Sequence, residues 1–220
     1  MNGKARAVAF DSSPPADCQA CARLAQFRAA NRAAYPDWSN APVESFGDRD
    51  ARLLVVGLAP GLRGANRTGR PFTGDYAGDL LYATLLEFDF ARGVYDRRPD
   101  DSLTLRDCAI ANAVRCVPPE NKPTPAEIAA CRPYLAGAIR SLPRLEAIVA
   151  LGRIAHDSVL RAFGLRLAEF PFGHGARHLV AAADVALFDS YHCSRYNTNT
   201  GVLTAPMFRA VFAAVRHHLA

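Results

Sequence analysis

No run of about 18 or more apolar residues occurs in this chain, so nothing in it reads as a membrane-spanning helix. The N-terminus carries charges and prolines where a secretion signal would need an apolar stretch. A soluble, cytoplasmic protein is the expectation. Also missing are internal repeats, low-complexity tracts and any linker-like segment, which leaves a single domain over residues 1–220 with an N-terminal arm. The long glycine-rich loop has neither G-x-G-x-x-G nor the Gly-Lys-Ser/Thr ending of a phosphate-binding loop, which weighs against a dinucleotide or nucleoside triphosphate site.

Half of the 220 residues are hydrophobic, enough for one sizeable core. Lys and Arg outnumber Asp and Glu by 26 to 21, a basic balance that favours a polyanionic partner. The apolar runs at 53–56, 109–114, 147–151 and 185–188 read as short buried strands. Helical patterns cover 21–34, 78–88, 154–163 and 206–219. Another opens at Thr124-Pro125-Ala126-Glu127, a capping box with proline at the first helical position, and runs to about Leu142. Strands separated by helices predict an α/β fold, a three-layer α/β/α sandwich on a short, mainly parallel four-stranded sheet.

Polar segments follow three of these strands. The first runs from Gly57-Leu58-Ala59-Pro60-Gly61 to Gly69-Arg70-Pro71-Phe72-Thr73-Gly74-Asp75, with five glycines, two prolines and three arginines. It offers little apolar surface to bury, so it belongs at the carboxyl end of its strand, where open α/β sheets bind ligands. It holds one aromatic, Phe72, to stack something planar, and one carboxylate, Asp75, to manage a water or a proton. The second strand carries Asn112, whose amide can both donate and accept and so can read the imide edge of a pyrimidine. The fourth leads to Ser190-Tyr191-His192-Cys193-Ser194-Arg195-Tyr196-Asn197, where His192 can hydrogen-bond a developing anion.

Six cysteines are present. Cys18 and Cys21 form a C-x-x-C pair, and Cys116 and Cys131 have fourteen residues between them in a proline-rich segment. Disulfides are disfavoured in a cytosolic chain, and four thiolates suit either structural zinc or a [4Fe–4S] cluster; spacing alone does not choose.

Taken in order, these segments resemble the iron–sulfur uracil-DNA glycosylases, most closely their family 5 or type B branch. The G-L-A-P-G start with the downstream G-R-x-F-T-G-D is similar to that branch's first motif, and the segment from His192 to Gly201 to its second. The resemblance implies a [4Fe–4S] cluster on Cys18, Cys21, Cys116 and Cys131, and a monofunctional glycosylase that starts base-excision repair at uracil, and at other deaminated bases such as hypoxanthine and xanthine. In the best-known members a water-activating Asp stands in the first motif; here Ala59 occupies that region, so the implied carboxylate is relocated to Asp75, with Asn121 as a second ligand for the water. Phe72, Asn112, Gly57 and Ala59 are then expected around the base. Arg195, Tyr196, Asn197 and Arg67 are expected at the DNA, with Arg63 and Arg70 as further phosphate contacts. Arg67 and Arg70 are alternatively expected to orient Asp75. The second motif lacks the usual prolines, reading His192-Cys193-Ser194-Arg195, which predicts a less rigid loop. A monomer acting on DNA is the expected assembly. The competing reading is a non-catalytic nucleic-acid-binding module stapled by a metal or a cluster.

Overall fold

The computed structural model describes residues 13–220; the first twelve residues of the expected N-terminal arm lie outside the described residues. Strands β1 (Phe46–Gly47), β2 (Leu53–Gly57), β5 (Cys108–Asn112), β6 (Ala147–Leu151), β7 (Arg177–Val180) and β8 (Val185–Ser190) form one sheet in the order β1-β5-β2-β6-β8-β7. Its four central strands are parallel and buried at every position. They are the four runs that read as strands, because burial on both faces leaves nearly continuous apolar sequence. The short edge strands β1 and β7 are antiparallel and extend the sheet to six. Two residues, or the mixed Arg-His-Leu-Val, offer no periodic pattern, and only pairing to a formed neighbour makes them strands. A separate hairpin pairs β3 (Ala91–Arg92) with β4 (Thr104–Leu105).

Helices cover both faces. Against one face lie α3 (Tyr76–Glu87) and α7 (Ala205–His218), through Leu81, Leu85, Phe208 and Phe212. Against the other lie α4 (Pro125–Arg140) and α5 (Arg153–Ala162), through Leu135, Ile139, Val159 and Leu160. Helix α1 (Ala22–Ala34) packs at one end on a small cluster of Leu24, Val114, Cys116 and Cys131. Two further helices, α2 (Ala65–Thr68) and α6 (Arg195–Asn199), interrupt segments that read as loops; each is about one turn, too short to leave a periodic signature.

The capping box forms as expected. The Thr124 hydroxyl accepts from the Glu127 N–H at 3.3 Å and the Glu127 carboxylate accepts from the Thr124 N–H at 2.7 Å. Glu127 also accepts from Arg23 of α1 at 2.8 Å, so one side chain caps the start of α4 and ties it to α1. That link joins the segments bearing Cys21 and Cys131.

Candidate active site

The parallel register sets Gly57, the last residue of β2, beside Asn112, the last residue of β5. Both stand at the carboxyl end of the sheet, where the polar segments gather around a cavity of about 260 Å³. Ala59, Phe72, Asp75, Asn112, Asn121 and His192 all line it, with Arg195 at its edge. Gly57 lies behind the wall: a Cβ there would fall 2.5 Å from both the Asn112 Oδ1 and the Phe72 ring. Any side chain at Gly57 would push these two groups out of place.

Asn112 is 3 % exposed, and its Oδ1 has no hydrogen-bond partner among the described residues. A buried acceptor left unpaired is costly, and native proteins rarely keep one without a use. Phe72 is buried with a left-handed backbone, φ 52°, which an aromatic residue seldom adopts. Its surroundings hold it there. The Tyr95 hydroxyl donates to the Phe72 carbonyl at 3.0 Å, the Tyr82 hydroxyl donates to Pro71 at 2.6 Å, and the backbone of Gly78 approaches the Phe72 carbonyl too closely for any Cβ. Local strain at an otherwise well-braced position is characteristic of functional sites.

Asp75 is the N-cap of α3, where its Oδ1 accepts from the Gly78 N–H at 3.1 Å. Its Oδ2 lies over Gly64 and Gly61, where added Cβ atoms would approach to 2.5 and 3.3 Å. Burial raises its pKa above the ordinary carboxylate value, against the opposing pull of the Gly78 N–H. Asn121 is exposed on the cavity rim, in a left-handed turn with φ 58°.

His192 follows β8 and is half-buried, its ring 6.1 Å from that of Phe72 and inclined to it by 28°. No hydrogen bond to the ring is formed among the described residues, and burial pushes its pKa down to about 4. It is therefore a neutral imidazole at physiological pH, able to donate one N–H. The segment expected to be less rigid is tied down. Cys193 is buried with its thiol donating to the Ala77 carbonyl at 3.5 Å, and Ser194 caps α6 by accepting from the Asn197 N–H at 3.3 Å. Asn197, expected at the DNA, turns inward, and its amide donates to the His192 carbonyl at 2.8 Å.

Tyr196 does face outward, 74 % exposed. Arg195 lies over the ring of Tyr76 at 5.2 Å, and this pair flanks the mouth between the cavity and a neighbouring groove that also reaches Arg63. Tyr76 was not legible as a site residue, although it directly follows Asp75. Arg67 is exposed and forms no ion pair with Asp75. Arg70 is a correction on both expected roles: buried, it makes a bidentate pair with Asp101 at 2.7 and 2.8 Å and donates to Thr73 at 2.7 Å. It braces the loop from inside because Asp101, distant in sequence, folds back onto it.

The four cysteines Cys18, Cys21, Cys116 and Cys131 converge on one small enclosed site between α1, α4 and the segment after β5. Ala59 packs against this cluster and also lines the larger cavity, so the two sites share a wall. No three of the sulfurs come within 4.8 Å of one another; the one trio of metal-ligating atoms that close among the described residues is His156, His178 and Asp189. That trio is a hydrogen-bonded network. Both ring nitrogens of His156 face acceptors, Asp189 Oδ1 at 2.7 Å and the Phe170 carbonyl at 2.9 Å, which calls for a doubly protonated ring. Burial opposes that charge, yet Asp189 and the carbonyl outweigh it and raise the His156 pKa.

A model of the Uracil DNA glycosylase superfamily matches residues 44–216. The chain is 45 % identical to a type-5 uracil-DNA glycosylase of Thermus thermophilus, over 88 % of this chain and 90 % of that one. A type-5 enzyme of Pyrobaculum aerophilum is 39 % identical over 86 % and 83 % of the two chains. The type-4 enzyme of the same organism is more distant, 32 % identical over 77 % of each. With the site assembled at the end of an α/β/α sheet, the protein belongs to the uracil DNA glycosylase superfamily and, within it, groups with the type-5 members.

Proposed function

We propose that this chain hydrolyses the N-glycosidic bond of uracil in DNA, leaving an abasic site, and that it acts likewise on hypoxanthine and xanthine. The observation that carries this reading is the unpaired, buried Oδ1 of Asn112 in the cavity wall. Uracil brings an imide N–H to that acceptor; cytosine brings a lone pair and leaves the oxygen unsatisfied. A site built to receive a particular hydrogen bond rejects an analogue lacking it by about 10⁴–10⁵. The deaminated purines hypoxanthine and xanthine carry the same N–H beside a carbonyl, which adenine lacks.

The base must leave the stack, at a cost of a few kcal/mol, to reach such a pocket. Phe72, fixed in its strained conformation, stacks on the extruded ring. As the bond breaks, negative charge accumulates on the leaving base. His192, neutral and already placed, donates to it without reorganisation. Asp75 holds the attacking water and faces the positive sugar with the oxygen not used in capping, with Asn121 on the rim as second ligand. Arg195 and Arg67 contact phosphates, and the exposed Tyr196 enters the gap in the duplex. Every side chain in this scheme comes from one chain, and the enzyme is proposed to act as a monomer. Among the described residues no helix is long and apolar enough to cross a membrane.

The cysteine site fits a [4Fe–4S] cluster better than zinc. Zinc bound at about 2.3 Å from each thiolate would draw the sulfurs to about 3.8 Å from one another, whereas a cubane holds its ligands at separate corners. Sulfurs too far apart to bring three within 4.8 Å suit the cubane. Held by Cys18, Cys21, Cys116 and Cys131, the cluster serves as a staple for α1, α4 and the segment after Asn112.

The test is incubation with end-labelled oligonucleotides bearing one uracil, hypoxanthine or xanthine, followed by alkali. Scission at the modified base only after alkali is expected. No scission by cluster-bearing protein that still binds DNA would replace this reading with a binding module.

A further inference from the structure

Two arginines lie inside the protein beside the cysteine site without a carboxylate paired to them; Asp17 and Glu44 act on them only at a distance. Arg28 on α1 is 3 % exposed and Arg115, between β5 and Cys116, is 1 % exposed. Neither forms a salt bridge among the described residues. The nearby acids are committed elsewhere or lie at the surface: Asp17 is exposed and pairs with Arg32 at 2.6 Å, Glu127 pairs with Arg23, and Glu44 is exposed. A buried charge lacking a counter-charge is among the costliest arrangements in a folded protein, so something in this corner must be negative.

The hydrogen bonds of Arg28 and the place of Arg115 in the lining of the cysteine site point to the sulfurs. Arg28 donates from one guanidinium nitrogen to the Cys116 Sγ at 3.3 Å and from the other to the Cys18 carbonyl at 2.7 Å. Arg115 donates its backbone N–H to the Cys131 Sγ at 3.3 Å, while its side chain reaches Ser45 at 2.8 Å and the Tyr134 carbonyl at 3.4 Å. Its Nε finds no partner. Every one of these partners is neutral or a cysteine.

We infer that Arg28 and Arg115 are the resident counter-charges of the four-cysteine site, holding an anionic cluster and setting its reduction potential. The inference rests on the iron–sulfur reading above. An oxidised [4Fe–4S] core on four thiolates is a dianion, which two guanidinium groups neutralise, and reduction adds a further negative charge. Positive charge and N–H donors at the sulfurs raise the potential of such a cluster. Removal of partners next to a metal's ligands typically weakens its binding about 10- to 100-fold.

The experiment compares the full-length protein with Arg28→Gln, Arg28→Lys and Arg115→Gln. Iron and sulfide content, visible absorbance, iron loss to a chelator and the midpoint potential are the readouts, with circular dichroism as the check on folding. Both glutamine variants are expected to hold the cluster about 10- to 100-fold less tightly and to shift the potential to more negative values. Arg28→Lys, which keeps the charge, is expected to stay near the wild-type potential; a role confined to packing would not separate lysine from glutamine. If Arg115→Gln fails to fold, the two Arg28 variants decide the matter. A brown wild type whose folded Arg28→Gln variant matches it in potential and iron retention overturns the inference alone. A colourless wild type containing zinc overturns the iron–sulfur reading and the inference with it.

Discussion

In the proposed mechanism Asp75 performs two jobs with one carboxylate, and asparagine separates them. Its Oδ1 caps α3 through the Gly78 N–H, a task that Asn does about as well as Asp. The water-holding task needs the negative charge. Asp75→Asn is therefore expected to keep or slightly raise the melting temperature, because it removes a carboxylate that burial disfavours. Its single-turnover rate is expected to fall by at least about 10²-fold, the usual contribution of a positioned base. Near-normal turnover in a folded variant would remove Asp75 from the chemistry. For Asn112→Ala and His192→Ala, losses of about 10²–10³ in rate are expected, the typical effect of deleting one preorganised donor or reader in such a site. Single-turnover kinetics on a uracil-containing strand measure both.

At the level of elements, the site depends on how loops are fastened to helices. The loop from Arg70 to Asp75 is pinned by Asp101, Tyr82 and Tyr95, while Cys193 ties the His192 segment to the first turn of α3. The capping box of α4 is a second fastening, since Glu127 links the helix start to Arg23. Thr124→Ala removes one half of the box and is expected to cost about 1 kcal/mol, read by urea unfolding. Because α4 carries Cys131, the variant is also expected to bind the proposed cluster less firmly than the wild type.

For the molecule as a whole, two histidines give opposite dependences on pH. His156 has a folded pKa above its ordinary value, so its pairing with Asp189 stabilises fully below about pH 6.5 and is lost as pH rises through the higher folded value. His192 has a folded pKa of about 4, so the folded state resists its protonation and loses stability as pH falls from about 6.5 toward 4. The stability advantage of wild type over His156→Gln is expected to shrink steadily as pH is raised above neutrality. Urea midpoints across a pH series check this, and an advantage independent of pH would show that His156 is not charged in the folded protein.

The parallel strands, the five main helices and the α4 capping box were legible because burial on both sheet faces, amphipathic spacing and cap chemistry are local properties written in consecutive residues. Phe72, Asp75, Asn112 and His192 were legible as candidates because each follows or ends such a strand, but their meeting around one cavity depends on strand order and register. The roles of Arg70 and Asn197 were not legible. A guanidinium or amide carries no mark of whether it will face DNA or the interior, and that was decided by Asp101 and the His192 carbonyl arriving from elsewhere in the fold. Composition and pattern by themselves determined a three-layer α/β domain with a glycine-rich site at one end of its sheet and four cysteines to gather. Tertiary structure alone decided which polar groups lack their usual partner: the Asn112 oxygen is left unpaired in the cavity, and the two arginines beside the cysteines are hydrogen-bonded without a paired carboxylate.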